Sequence, residues 1–393
     1  MASVTAQKRS QESTGKYKYE KLRSLLDDHI EHGNAGDPLP SYSQLLKDHN
    51  VRRNTADRVL QELVAEERIV RVHGKGIFIS ARAKQKTIAL VFGDTITRVM
   101  STTYPKVLVD SCAAYAREKG HRLFIYYGVP RSDGEAESEP ELRSLANAIR
   151  AKEIDGIIYC AHGGSEEQLL WLASQGVVVA TANELPSALR TGNYASVRID
   201  WRQLIRRGVD ALVGQSCREI GLINNYCTSG EQGIEECPEA SYFLEALQDH
   251  ALTCSTDWVW DRSTYLAETT AYTVSDLEAR GFQALSDLWA RRNAQGRHIE
   301  GIVVTDDFMT RGCLFAAYAL GIKIGRDVQI ATHANRGSDA LSRFQRDLTL
   351  LEVDMDVLAG ELIRTLTTMM EGKPYKADRL LNLPDIVCGR SKS

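Results

Sequence analysis

Residues 39–80 read LPSYSQLLKDHNVRRNTADRVLQELVAEERIVRVHGKGIFIS, and the fold of the N-terminal part is decided there. Leu-Pro-Ser opens the stretch, and Ser41 is placed to cap a short helix that runs to His49. A longer helix follows from Val51, in which Val59, Leu60, Leu63 and Val64 recur at helical spacing and form its buried stripe. The tail IVRVHGKGIFIS gives two short strands about a Gly74-Lys75-Gly76 turn, a β-hairpin. Upstream, Tyr19, Leu22, Leu25, Leu26 and Ile30 fall on one face of a helix from Tyr17 to His32, and NAGDPLPS separates it from the next element. Helix, short helix, second helix and hairpin in that order predict an α+β winged helix-turn-helix domain over residues 16–80. Residues 1–15 are polar and lack apolar periodicity, which predicts a disordered tail.

The whole chain has 393 residues, more than one domain of about 100–200 residues holds. With 43% hydrophobic and 25% charged residues it has the make-up of a soluble globular protein. No apolar run approaches the roughly 18 residues of a membrane helix, and the N-terminus lacks the apolar core of a secretory signal. No membrane partner and a cytoplasmic location are therefore expected. The eight cysteines stand singly, without a CxxC pair or a histidine cluster, so reduced thiols are expected, with no metal and no cofactor. The net charge of −4 hides an asymmetry: residues 1–86 hold 16 Lys+Arg against 11 Asp+Glu, or +5, and the remainder 32 against 41, or −9. A basic head on an acidic body suits a phosphate-binding module, with double-stranded DNA as the partner.

The N-terminal stretch resembles the DNA-binding domain of the GntR family. The family's pattern appears as Leu39-Pro40-Ser41, then Val51-Arg52-Arg53-Asn54-Thr55, then Gly74-Lys75-Gly76-Ile77-Phe78-Ile79. The resemblance implies an operator-binding head whose third helix enters the major groove. There Arg52 and Arg53 can pair with guanine or grip phosphates, and Asn54 can pair with adenine. Thr55 and Arg58 are placed for the DNA backbone, as are His73 and Lys75 at the wing tip and Ser41 at a helix N-terminus. The family usually has an acidic residue and an arginine after Leu-Pro-Ser; here Tyr42 and Ser43 stand in those places, so one familiar contact is missing.

Residues 81–86, ARAKQK, read as a linker. Beyond it strands and helices alternate: KTIALVFG, a helix from Tyr104 to Lys119, HRLFIYYG, a helix from Pro140 to Lys152, IDGIIYCA, a helix from Glu166 to Gln175, and VVVATAN. The alternation restarts after residue 200 and runs to DVQIATH. Near-continuous apolar strands between helices predict two parallel sheets covered on both faces, an α/β domain of two lobes with a cleft. The lobes are expected at about 87–199 plus 336–352, and about 200–335 plus 353–385, within a domain of 87–391.

SVRIDW (196–201), the stretch 301–335 with its Asp306-Asp307 pair, and the closing NLPDIVCGRS are similar to the effector domain of the LacI/GalR regulators, which have the periplasmic-binding-protein-like fold. The arrangement as a whole resembles the arabinose-repressor type. The resemblance implies a small-molecule effector, a carbohydrate or a similar molecule, near Asp94, Asn183, Asp200, Trp201, Trp258, Trp260, Asp306 and Asn335. Carboxylates and amides suit vicinal hydroxyls, and an indole covers the apolar face of a sugar. Alternatives stay open at two points: Asp307 can cap the helix that follows it, and Trp258 and Trp260, sharing a face two residues apart, can both be core. An arginine usual in that family corresponds to Glu239, a reversal that disfavours an ordinary or phosphorylated sugar and favours a cationic or amino-bearing ligand; a shifted register or a decayed effector site are the open alternatives. A homodimer acting as a repressor is the expected form. An enzyme with a DNA-binding head is the alternative, but no phosphate loop, nucleophile elbow or strand-linked GxGxxG supports it.

Overall fold

A computed structural model describes residues 2–93, 96–128, 143–160, 170–172, 174–182, 193–224, 238–253, 256–260, 273–295, 298–381 and 386–388. The chain divides into two units, residues 1–86 with 120–122, and residues 87–119 with 123–393.

The first unit holds helices α1 (Ala2–His32), α2 (Tyr42–Asp48) and α3 (Arg53–Ala65), then strands β1 (Ile69–Val72) and β2 (Gly76–Ile79). The strands pair antiparallel with Ile69 opposite Ile79, and residues 36–39 extend the ribbon through Gly36 N–H to Ile79 O and Leu39 N–H to Ile77 O. Leu22, Leu26 and Ile30 of α1 pack against Leu45, Ala56, Val59, Leu60 and Leu63, closed below by Ile69, Ile77 and Ile79. Ala56 completes the α3 stripe, whereas Val64, expected in it, is exposed. The turn between α2 and α3 passes through Asn50 at φ 47°, a left-handed position that asparagine tolerates. Two expectations are corrected. Helix α1 begins at Ala2, so the stretch expected to be a disordered tail is helical; missing apolar periodicity removes a packing face but not the backbone hydrogen bonds, and no proline interrupts. The linker is folded onto the head as a turn, Ala81–Lys84, with Lys84 Nζ donating to Glu31 O at 2.7 Å.

The second unit contains two six-stranded sheets. In chain order its elements begin β3 (Thr87–Phe92), α4 (Ile96–Val99), α5 (Thr103–Glu118), β4 (Arg122–Tyr127), α6 (Arg143–Arg150), β5 (Gly156–Cys160), β6 (Val178–Thr181) and β7 (Tyr194–Ile199). They continue with α7 (Trp201–Gly214), β8 (Ile220–Ile223), α8 (Pro238–Asp249), β9 (Val259–Trp260), α9 (Val274–Gln295), β10 (Gly301–Val304), α10 (Asp307–Leu320) and β11 (Gln329–Asn335). The chain closes with β12 (Thr349–Val353), α11 (Met355–Met370), β13 (Asp378–Leu381) and β14 (Ile386–Cys388). The first sheet runs β13-β7-β6-β5-β3-β4 and the second β14-β12-β11-β10-β8-β9. Strands β3, β5, β6, β7 and β13 pair in parallel, as do β9, β8, β10, β11 and β12; β14 is antiparallel to β12. Half of the helix expected from Glu166 to Gln175, residues 166–169 and 173, lies outside the described residues.

The lobes are divided differently from the sequence expectation. Strand β12, expected in the first lobe, pairs with β11, Ala331 opposite Thr349, in the second sheet. Helix α11, expected in the second lobe, buries Leu358, Leu362 and Leu366 in a core shared with Ile158, Ala180 and Val197 of the first sheet, and β13 extends that sheet. Alternating strands and helices show where elements lie but not which sheet edge the last ones join, because that pairing is long-range. The chain thus crosses between lobes after β7, after β12 and after β13.

Helices α9 and α10 cross with almost no gap. A Cβ on Gly281 would lie 1.9 Å from Met309 O, and one on Gly312 2.0 Å from Glu278 O. Gly312→Ala must separate the helices and is expected to cost about 2–4 kcal/mol. Gly214, with nothing within 4 Å of its added Cβ, should accept alanine neutrally or gain up to about 1 kcal/mol. Urea denaturation of the two variants checks the contrast.

Candidate DNA interface and effector site

On the first unit the two helices of the helix-turn-helix end differently. Helix α2 is closed by a capping box: Ser41 Oγ accepts from Gln44 N–H at 3.3 Å and Ser41 N–H donates to Gln44 Oε1 at 2.7 Å. Helix α3 has Arg52 at its N-cap and no side-chain cap, so its first N–H groups are left for an outside acceptor. Arg52, Arg53 and Asn54 are exposed at that end and Thr55 is half-buried. Arg58, one turn further, is held within the head: its Nε donates to Glu62 Oε1 at 3.0 Å and its guanidinium lies 5.0 Å from the centre of the Tyr19 ring. The wing turn presents His73 and Lys75, both exposed, between Gly74 at φ +72° and Gly76 at φ +123°, conformations that a side chain resists. The Ser41 hydroxyl already serves α2.

On the second unit the predicted effector residues separate into groups. Asp94 and Asn183 lie outside the described residues. Trp258 and Trp260 are fully buried; their indole N–H groups donate to Glu219 Oε2 at 3.1 Å and Asp287 Oδ2 at 3.2 Å. Both are core, a correction to their expected ligand role, and the alternating face they share is the cause. Glu239 is half-buried in the first turn of α8, where a carboxylate is favoured by the helix dipole. Asp200 caps α7 through Gln203 N–H at 2.9 Å, and Asp306 caps α10 through Met309 N–H at 2.9 Å. It is thus Asp306 that caps, not its neighbour.

Asp307 is turned the other way. Its Oδ2 accepts from Ser338 Oγ at 3.0 Å and from Asn335 Nδ2 at 3.5 Å, and Ser338 Oγ also meets Thr103 Oγ1 of the first lobe at 3.5 Å. Two residues before Asn335, the buried His333 ring lies 5.4 Å from the ring of Trp201 and has no hydrogen bond at either nitrogen. Burial and the neighbouring Asp307 carboxylate raise the Asp306 carboxyl above its ordinary value. Burial lowers the His333 imidazole, with Asp307 acting in the opposite direction. The structure therefore brings Trp201, Asp307, His333, Asn335, Ser338 and Thr103 together where the two lobes meet, at the carboxyl ends of β10 and β11. Ligands bind parallel α/β sheets at that edge. His333, Ser338 and Thr103 were not anticipated. A histidine in an apolar strand has no motif to mark it, and the other two meet only through pairings distant in sequence.

With this geometry in view, comparisons with known proteins define the class. Residues 18–79 match the bacterial regulatory proteins of the gntR family, and residues 209–392 match the periplasmic binding protein-like domain. Catabolite control protein A of Priestia megaterium is 22% identical over 321 residues, 82% of this chain and 85% of that protein. The structure of the transcriptional regulator CelR with cellobiose superimposes with a TM-score of 0.59 at 16% identity, over 86% of this chain and 92% of that one. The transcription regulator CcpA of Lactococcus lactis gives 0.57 at 18% identity, over 77% of this chain and 97% of that one. The chain joins a GntR-type winged helix-turn-helix to a two-lobed periplasmic-binding-protein-like domain, the construction of a transcription regulator. Among the described residues no helix is long and apolar enough to cross a membrane.

The buried His333 gives a pH signature. Its folded value lies below the unfolded value of about 6.5, so the unfolded chain binds more protons in acid and stability falls as pH drops below that point. Between about pH 7.5 and about pH 5 the wild type should lose more stability than His333→Gln. Equal losses in urea titrations would remove the buried neutral imidazole from the account.

Proposed function

We propose that the protein is a sequence-specific transcription regulator that binds operator DNA as a homodimer and is controlled by a small molecule held between its lobes. The carrying observation is the open N-terminus of α3, with Arg52, Arg53 and Asn54 exposed beside it on the same head as the wing with His73 and Lys75. Uncapped N–H groups attract phosphate, and the three side chains have the donors and acceptors that read guanine and adenine edges. Thr55, Ser41 and Arg58 serve as flanking backbone contacts in this reading, Ser41 and Arg58 through the part of each side chain that remains exposed.

Control by an effector is supported by the Ser338–Thr103 contact between lobes and its link to Asp307. A ligand that engages Asp307 and Asn335 alters the groups that join the two lobes, so its binding energy is coupled to lobe closure. CelR, similar in fold, was solved with cellobiose, which supports a hydroxyl-rich effector here. Dimerisation is supported by Phe282 of α9 and Phe315, Tyr318 and Leu320 of α10, apolar side chains exposed on neighbouring helices. Repression is the expected polarity and the cytoplasm the expected place of action. The alternative of an enzyme with a DNA-binding head is disfavoured, because the relatives are regulators.

Arg53→Ala should lose about 1–3 kcal/mol of discrimination between operator and unrelated DNA. Lys75→Ala should weaken all DNA binding equally and lower the salt slope by about 1. Fluorescence anisotropy against both DNAs over a salt series separates the two effects; an unchanged specificity ratio in Arg53→Ala removes α3 as the reading helix.

A further inference from the structure

Beside the groups that join the lobes lies a cavity of about 240 Å³, between the ends of β11 and β12 and the segment 336–345. Asp307, Asn335, Ser338, Asp339, Ser342 and Glu352 are among the residues lining it. Apart from the exposed Gln345 amide, the side-chain donors of the wall make hydrogen bonds within it. Ser338 Oγ and Asn335 Nδ2 donate to Asp307, and Ser342 Oγ donates to Asp339 O at 3.1 Å. Acceptors remain in surplus. Asn335 Oδ1 is buried and receives no hydrogen bond. Three acidic residues, Asp307, Asp339 and Glu352, line the space, while among the described residues no lysine or arginine lines it. The adjacent Arg336 pairs with Asp354, outside the wall, at 2.5 Å and with Glu352 of the wall at 3.5 Å. Buried Arg280 acts electrostatically on Asp306, the capping carboxylate.

An occupant of such a wall has to bring N–H donors and positive charge. An acidic or phosphorylated molecule would set its anion against three carboxylates, of which only Glu352 has a cation, Arg336, beside it. We infer that the effector is a small amine-bearing molecule, such as an amino sugar, whose ammonium group is held by Asp307 and Asn335 Oδ1. The cavity is below the roughly 300–1,000 Å³ of pockets that take drug-sized ligands, so the amine is small. This assignment rests on the reading of the cleft as an effector site and gives that site its ligand class.

The test is a thermal-shift and calorimetric panel on the full-length protein in matched sets. Glucosamine is compared with glucose, N-acetylglucosamine and gluconate; putrescine and ethanolamine are compared with butanediol and ethylene glycol. Calcium chloride is included because carboxylates also hold metal ions. The expected result is stabilisation by at least one amine, with its neutral and anionic counterparts at least tenfold weaker. Asp307→Asn should then weaken that amine at least tenfold. Should Asp307→Asn fail to fold, the exposed Asp339→Asn should still weaken it several-fold. Stronger binding of a neutral sugar, an acid or calcium overturns the amine while leaving an effector site in place. Silence across the entire panel overturns the amine and counts against the cleft as an effector site at all.

Discussion

In a parallel sheet every strand ends on the same edge, and every helix that follows begins there. The second unit is organised by that constraint. Helices α7, α10 and α11 start directly after β7, β10 and β12, and each is capped by an aspartate: Asp200, Asp306 and Asp354. The caps satisfy N–H groups that would otherwise be buried without acceptors, each contributing about 1 kcal/mol. Two of the three, Asp200 and Asp354, stand at crossovers between lobes, so these helix starts and the crossover segments lie together at the carboxyl ends of the strands. Asp307, one residue past a cap, is thereby aimed into the cleft rather than along the helix.

That arrangement explains what could and could not be seen beforehand. A strand, an aspartate and a helix in sequence mark a cap and a ligand site equally well, because both occur at the same sheet edge. The capping carboxylate is Asp306, and only the helix start at Asp307 decides between the two. The winged head was legible almost residue by residue, since its apolar spacing, its Leu-Pro-Ser and its Gly-Lys-Gly turn are local signals. Even there Ala56 rather than Val64 completes the α3 stripe, a shift of face that apolar character alone does not resolve. The alternation of strands and helices revealed two sheets but misplaced β12 and α11, whose partners are set by pairings far away in the chain. The tryptophans failed for a related reason. Trp258 and Trp260 look like a sugar platform, yet both indoles find carboxylate acceptors inside the lobe and leave the cleft.

The two units also differ in what their charges do. In the head, three arginines away from the open helix end are paired at home: Arg23 with Asp27 and Glu66, Arg68 with Asp27, Arg58 with Glu62. Solvent-accessible pairs of this kind contribute little stability, but they neutralise charge away from the reading face. Arg52 and Arg53 at the start of α3 and Lys75 at the wing tip then stand out as exposed cations. In the second unit the acidic surplus reaches into the cavity, where it biases the choice of ligand.

The central claim is that the head reads DNA sequence and does so as a pair. Selection from a random duplex pool by the full-length protein, at near-physiological salt, tests it most directly. The account predicts enrichment of one pseudo-palindromic site with two half-sites. Recovery of unenriched DNA, held only by a salt-sensitive attraction common to all sequences, would contradict it.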